Sequence, residues 1–275
     1  MPPEPLSTID RVRAQASVRR LIARRKPEAR IPALREVASA SMFFDAFPRF
    51  YETSQTHASR GRLNLRYEAI FTQNADIFAG ARVLDIASHD GRWSLAALCT
   101  GAAEVVGIEA REDLVEDARE NLAQYADGKP YDFRAGDVFE VLAKERFEVD
   151  VVLCLGFLYH TLRYNELMHL IRELDPRYLI VDTAVVPDKK RELVLLRTEN
   201  GDRAKNAVAD RFSHGVRTIV GRPSVPALRL LVESYGFELE RFSDWDTLIG
   251  DNPSMGHVTD YATGRRVTVR CVSTG

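Results

Sequence analysis

Three carboxylates and one imidazole stand where they could do chemistry. Asp85 stops the apolar run Arg82-Val83-Leu84, Glu109 closes a second such run 24 positions later, and Asp137 follows Gly136 after a third. Behind Asp85, the loop Ala87-Ser88-His89-Asp90-Gly91 leads into a helical pattern, Trp93-Ser94-Leu95-Ala96-Ala97-Leu98. A strand, a tight turn and a helix N-terminus make the usual cradle for a nucleotide-like ligand, because the helix start offers free N–H groups and the positive end of its dipole. Acids at strand ends can accept that ligand's hydroxyl or amino protons. A fourth apolar run empties into Leu155-Gly156-Phe157-Leu158-Tyr159-His160-Thr161. Histidine, with a reference pKa of about 6.5, is the side chain suited to removing a proton at neutral pH.

The elements that must hold these groups alternate. After the Arg82 strand and the Trp93 helix come a second strand, 104–109, a helix, 112–126, with Leu114, Val115, Ala118 and Leu122 on one stripe, and a third strand, 131–135. The fourth strand is read over 148–155, a helix over 165–174 and a fifth strand over 178–182. Residues 183–221 interrupt the rhythm with a long, charged, turn-rich stretch. It resumes with a helix at 225–235, which Ser224 can cap ahead of Pro226, and strands at 237–242 and 267–272. Strict alternation predicts an α/β fold: a doubly wound, mostly parallel seven-stranded sheet, with its ligand crevice at the carboxyl ends of the strands. The loop from Asp246 to Arg266, holding Asn252, Pro253 and His257, reads as too polar for core.

Ahead of the sheet, residues 1–80 read as an N-terminal helical extension and 81–275 as the ligand-binding domain, with a substrate cap inserted around 183–221. The extension is dense in aromatics, from Met42-Phe43-Phe44 through Phe50-Tyr51 to Tyr67 and Phe71, and these read chiefly as core, with one wall of a pocket as the alternative. Residues 1–40 hold nine basic and four acidic side chains, so a basic arm joins an acidic body in a chain of net charge −2. Its pattern from Ile9 to Ile22 suggests a basic amphipathic helix that packs on the body or on a second copy, or else touches nucleic acid. No apolar run reaches the roughly 20 residues of a membrane helix and no secretory core follows Met1, so a cytoplasmic protein is expected. Cys99, Cys154 and Cys271 are far apart in apolar surroundings, which argues against disulfides or zinc, and no clustered ligand motif suggests another metal.

Taken in order, Val83 to Gly91, the acid at Glu109, Gly136-Asp137-Val138 and the fourth strand's run into Gly156 resemble the class I S-adenosylmethionine-dependent methyltransferases, from about Arg82 to Val272. That resemblance implies S-adenosylmethionine as cofactor. It places Asp85, with Ala87, Ser88, Gly91 and Trp93, around the methionine end. Glu109 and Ala110 fall at the ribose hydroxyls, Asp137 and Val138 at adenine, and Leu155 and Gly156 beside the reactive methyl. The family's loop usually carries glycine where Ala87 and His89 stand; alanine is accommodated at the first position if its φ is negative. A nicotinamide enzyme would want three glycines in this turn and fits less well.

The Gly-x-Leu-Tyr-His run is similar to that of the bacterial enzyme that alkylates the wobble uridine of transfer RNA. His160 is the candidate general base, or else a residue that caps and orients its loop, and Tyr159 a pocket wall or hydrogen-bonding partner. Arg197, Arg203, Lys205, Arg211, His214 and Arg217 in the insertion could grip an acidic or hydroxyl-rich acceptor. The expected activity is methyl transfer to oxygen of a polar small molecule, a sugar or natural product. A transfer RNA modifying enzyme is the second reading and a non-catalytic scaffold the third.

Overall fold

The computed structural model describes residues 42–56 and 59–275; the expected basic helix at 9–22 and the apolar positions around Leu34 lie outside the described residues. The alternation of the sequence becomes β1 (Arg82–Ile86), β2 (Glu104–Glu109), β3 (Tyr131–Ala135), β4 (Val151–Leu155) and β5 (Tyr178–Ala184), all parallel. Two further strands, β6 (Val194–Asn200) and β7 (Arg217–Pro223), pair only with each other, as an antiparallel hairpin. The main sheet is completed by β8 (Phe237–Phe242) and β9 (Arg266–Ser273) and runs β3-β2-β1-β4-β5-β9-β8, with β9 antiparallel to both neighbours. Order therefore reverses between β1 and β4, and such a switch point opens a crevice at the strand ends.

Strand β4 is apolar at every position, and β1 at Val83, Leu84 and Ile86, because both faces are covered. Val83, Val151 and Leu153 meet the N-terminal aromatics on one face; Leu84, Ile86, Val152 and Cys154 meet the helices of the other. β4 starts at Val151 rather than at Glu148 as expected. Asp150, just before it, is drawn into a pair with Arg82, accepting from that residue's backbone N–H at 2.8 Å and from its Nε at 3.1 Å.

The described N-terminal segment is continuous with this core. It contains α1 (Arg49–Glu52) and α2 (Arg60–Ile70), and Phe43, Phe44, Phe50, Phe71 and Phe78 are buried against the sheet. Phe43 stacks on Tyr67 at 3.8 Å between ring centroids, and Phe44 meets Trp93 edge-on at 5.6 Å. Each such ring contributes about 1.5–3 kcal/mol by burial, so residues 42–80 hold the sheet together as much as they extend it.

Helices α3 (Arg92–Thr100) and α4 (Glu112–Tyr125) cover the aromatic face of the sheet. Glu112 and Asp113 suit the positive end of the α4 dipole. Following β3 is α5 (Val138–Lys144), and α6 (Tyr164–Glu173) crosses from β4 to β5. Ser224 caps α7 (Val225–Ser234) by accepting from the N–H of Ala227, as its position predicts. Two short helices, α8 (Trp245–Asp251) and α9 (Thr259–Ala262), correct the reading of 246–266 as a wholly polar loop. Trp245, Val258 and Tyr261 are buried with Leu65 and Ala69 in a small separate core, Trp245 stacking on Tyr261 at 3.5 Å. All three cysteines are free thiols, and Cys154 and Cys271 are buried. No helix among the described residues is long and apolar enough to cross a membrane.

Candidate active site

A cavity of about 610 Å³ opens at the carboxyl ends of β1, β2 and β4, between α2 and the β6–β7 hairpin. Its size lies within the roughly 300–1,000 Å³ of clefts that enclose cofactors. Ala87, Trp93, Glu109, Ala110, Asp137, Val138, Leu155, Gly156, Tyr159 and His160 all line it. Asp85, Ser88 and Gly91 stand behind the wall. The Ser88 side chain is fully buried toward β2, its Oγ 2.8 Å from where a Cβ on Gly107 would lie.

The loop after β1 departs from the negative φ that would suit an alanine there. Ala87 has φ of 54° and His89 of 55°, with Gly91 at 79°. A left-handed conformation costs a non-glycine residue roughly 1–2 kcal/mol, so this geometry persists only where neighbours impose it. The neighbours are evident. The N–H of Ser88 donates to the Ile108 carbonyl at 3.0 Å and that of His89 to Glu109 Oε2 at 3.0 Å. The buried carboxylate of Asp90 accepts from Arg92 at 2.7 and 2.9 Å and from the Thr53 hydroxyl at 2.8 Å. His89 Nδ1 lies 2.9 Å from Arg92 Nη2. Burial pushes the Asp90 carboxyl up, but Arg92 and His89 together hold it well below the ordinary range. Side chains thus brace the turn at two positions where φ is positive and the residue is not glycine. At Gly91 a side chain is disfavoured twice over: a Cβ would sit 2.8 Å from Leu122 Cδ1, and the φ is one that side chains rarely adopt.

Asp85 is fully buried. Its Oδ2 accepts from the Ser94 hydroxyl at 2.7 Å, while Oδ1 has no partner among the described residues. Burial pushes its pKa up to about 7; the Ser94 hydrogen bond opposes this and the charges of Glu109 and Asp90 add to it. Glu109 is 7% exposed, and its carboxylate is gripped from both sides, with the N–H of His89 on Oε2 and that of Arg111 on Oε1 at 3.0 Å each. Asp137 caps α5 through Phe139 N–H at 2.7 Å, and its second oxygen lies 3.7 Å from Arg163 Nη1.

Past β4, Gly156 with φ of 85° turns the chain into a short 3₁₀ segment, Leu158–His160. The rings of Tyr159 and His160 lie 4.1 Å apart, and His160 Nδ1 is 2.6 Å from Glu199 Oε2 on β6. The interruption of the sequence at 183–221 is therefore a hairpin lying over the site. Its alternation, with Val194, Leu195 and Leu196 outermost, was hidden because these side chains remain exposed and give no buried face to read.

One pair of wall residues carried no sequence signal. Arg62 and Arg66, one turn apart on α2, both face the cavity, whereas the aromatics of this segment are core. Arg66 sits over the Trp93 ring at 4.7 Å, and its Nη2 donates to Asp182 Oδ1 at 3.0 Å. Asp182, fully buried at the end of β5, also accepts from Arg266 Nε at 2.7 Å, the Tyr261 hydroxyl at 2.8 Å and the Thr268 hydroxyl at 2.7 Å. Burial raises this carboxyl, and Arg266 and Arg66 outweigh it, holding Asp182 well below its usual range. Arg62 closes the outer wall with a double hydrogen bond to Asp260, at 2.7 and 2.8 Å. These partners lie nearly 200 residues apart in the chain for Arg62 and Asp260, so nothing local announces them.

Residues 83–176, the stretch from β1 past the end of α6, match the family model described as methyltransferase domain. Among solved structures the chain is similar to the N-terminal domain of EvdMO1, crystallised in the presence of SAH and D-fucose, at 16% identity over 96% of each chain with a TM-score of 0.51. It is also similar to magnesium protoporphyrin IX methyltransferase (ChlM) from Synechocystis PCC 6803 with bound SAM, at 18% identity over 84% of this chain and 90% of that one, TM-score 0.52. A third likeness, at 16% identity over 71% and 92% with a TM-score of 0.50, is to an S-adenosylmethionine-dependent methyltransferase from Mesorhizobium loti. At these identities the likeness is one of fold, and the strand order above is the class I methyltransferase fold. No curated protein matches the chain.

Proposed function

We propose that this chain, an S-adenosylmethionine-dependent methyltransferase by its 83–176 domain and its fold, transfers the methyl group to a hydroxyl oxygen of a polar small molecule of the sugar or natural-product class. The observation that carries the reading is the continuity of one cavity wall from Glu109 and Asp137, through Gly156, to Tyr159 and His160.

The residues present fit the cofactor. Each Glu109 oxygen is held by one backbone N–H and keeps lone-pair capacity for a ribose hydroxyl. Asp137 has one oxygen on its cap and one left for an amino group such as that of adenine, with Val138 as the apolar floor beside it. Asp85, behind the loop with Oδ1 unpartnered among the described residues, would when ionised favour a cationic group such as an ammonium held against that loop. Ala87 and Trp93, on the wall, would flank the same end, and Ala110, Leu155 and Gly156 would border the ligand between them.

When bound, S-adenosylmethionine supplies a methyl on a positively charged sulfur, open to in-line attack. His160 takes the proton of the acceptor hydroxyl, which makes the oxygen a competent nucleophile at neutral pH. Tyr159, under the guanidinium of Arg266 at 5.1 Å, forms the adjoining wall. Residues 194–223 serve as the cap that covers the acceptor, and Arg62 and Arg66 form its far side. The EvdMO1 domain, similar in fold, was crystallised with D-fucose, which supports testing sugars first.

Calorimetric titration with S-adenosylmethionine and its demethylated product tests the first half of the reading; absence of binding sinks it. Labelled-methyl transfer to a panel of hydroxylated metabolites and to transfer RNA tests the second. Turnover on a metabolite that His160→Ala abolishes supports the assignment. Turnover unaffected by that substitution, or confined to transfer RNA, rejects it.

A further inference from the structure

We infer that Glu199, on the hairpin, is a positioning residue that completes the base: it holds His160 in the tautomer that leaves Nε2 free to accept the acceptor's proton. The inference rests on the reading of His160 given above. His160 Nδ1 and Glu199 Oε2 are 2.6 Å apart, with both side chains mostly buried at 16% and 14% exposure. An ionised carboxylate can only accept, so the proton of that hydrogen bond belongs to Nδ1. In a neutral ring Nε2 is then the bare nitrogen, the one open to a ligand. The same partnership, a carboxylate on one ring nitrogen and chemistry on the other, recurs wherever histidine acts as a base.

Both partners are held from outside the pair. Glu199 Oε2 also accepts from the N–H of Ala207 at 2.8 Å, which fixes the carboxylate on the hairpin. His160 N–H donates to the Phe157 carbonyl at 2.8 Å, and Gly221 N–H on β7 reaches the Thr161 carbonyl at 3.2 Å, tying hairpin to turn. A Cβ on Gly221 would lie within 2.7 Å of Leu162, Tyr164 and Val194, so this close approach depends on glycine. Burial pushes the Glu199 carboxyl up, but His160 and the Ala207 N–H bring it below its ordinary value, so the carboxylate is charged at neutral pH. The other groups facing the pair are Tyr159 and the guanidinium of Arg222, which lies 5.9 Å from the Tyr159 ring.

In the step itself the acceptor's O–H bond breaks with its electron pair left on oxygen, and an N–H bond forms at Nε2. The resulting imidazolium sits against the Glu199 charge, which steadies it. Because imidazole and carboxylate come from different parts of the chain, the base is complete only with the hairpin in place over the site.

The test is nitrogen NMR of the histidine rings in the whole protein at about pH 8, where a free histidine is neutral, with His160→Ala identifying the resonance. The native ring should show a protonated Nδ1 and a bare Nε2. Glu199→Gln, whose side-chain carbonyl still accepts, should keep that pattern, and Glu199→Ala should lose it in favour of the Nε2-protonated form. A native ring protonated on Nε2, or a pattern indifferent to Glu199→Ala, overturns the inference. With an acceptor in hand, Glu199→Gln should lower kcat about tenfold or more, by removal of the counter-charge, with KM for the cofactor unchanged; a rise in that KM with kcat preserved counts against it. Cofactor titration of the same variants keeps a failed dyad distinct from a failed cofactor site.

Discussion

Asp85→Asn should stabilise the protein in the absence of ligands, and by an amount that depends on pH in a defined direction. Burial pushes this carboxyl from the ordinary 3.8 up to about 7, with one oxygen lacking any partner. The difference between those two values corresponds to about 4 kcal/mol spent on holding the charge at pH 8. Since the folded-state pKa lies above the unfolded one, the neutral carboxyl is fully favourable below 3.8, and its advantage is lost as pH rises through about 7. Asparagine keeps an oxygen for the Ser94 hydroxyl and carries no charge, so urea unfolding at pH 8 should show a gain of at least about 2 kcal/mol. The midpoint of thermal unfolding should rise by about 4 °C or more. At pH 5 the gain should be smaller than at pH 8 by about 2.5 kcal/mol, because the native carboxyl is then protonated on folding. An ammonium placed against the loop would draw the Asp85 proton off. Cofactor binding at about pH 6 should therefore release a proton in the native protein and none in the variant, measured by calorimetry in buffers of different ionisation enthalpy. A variant less stable than native at pH 8, or a gain that does not change between pH 8 and pH 5, would refute the account of Asp85 as a buried and unpaired acid.

Three other outcomes follow from the site. Gly91→Ala should destabilise by about 2–3 kcal/mol in chemical denaturation, since it combines a left-handed φ with a 2.8 Å approach to Leu122; a neutral effect would mean the loop has room to shift. Arg266→Ala leaves Asp182 buried with one guanidinium removed and should cost about 3–5 kcal/mol. Adding Asp182→Asn should recover part of that loss, and strict additivity of the two changes would show that they do not act through one another. Glu109→Gln sets an amide against one of two backbone N–H donors and should weaken cofactor binding at least tenfold, about 1.4 kcal/mol, by calorimetry; unchanged affinity would remove Glu109 from the site.

Much of the fold was legible because its signals are local. Each buried parallel strand is a short apolar run ended by an acid or a glycine, and α4 carries its stripe at helical spacing. Part of the cavity wall was legible for the same reason, since Glu109 ends a strand and Ala87, Ala110, Asp137 and Gly156 closely follow one. What the sequence hid depends on distance or on exposure. Exposed strands such as β6 lack the buried face that periodicity reports. Asp182 stands out in the sequence only as a carboxylate at a strand end, and only the tertiary fold brings Arg66 and Arg266 to it from 116 residues before and 84 after. The φ values at Ala87 and His89 were equally hidden, because the braces that impose them, Thr53 and Arg92 on Asp90, lie partly on another element.

The cavity is therefore built from two sources with different physical characters. Within 83–176, strand ends supply Glu109 and Asp137, and backbone N–H groups orient Glu109. Outside it, α2 supplies Arg62 and Arg66, β6 supplies Glu199 and the start of β9 supplies Arg266, all of them side chains set by long-range ion pairs and hydrogen bonds. A site held by backbone geometry tolerates changes of side chain, since the N–H groups on Glu109 belong to the main chain of His89 and Arg111. A site held by crossed ion pairs does not, because removing one partner strands the other in a buried place. Under the proposed function, α2, the hairpin and β9 carry the selectivity for the acceptor. Substitutions there should alter which hydroxyl is methylated, or whether the chain folds, while leaving the affinity for S-adenosylmethionine close to native.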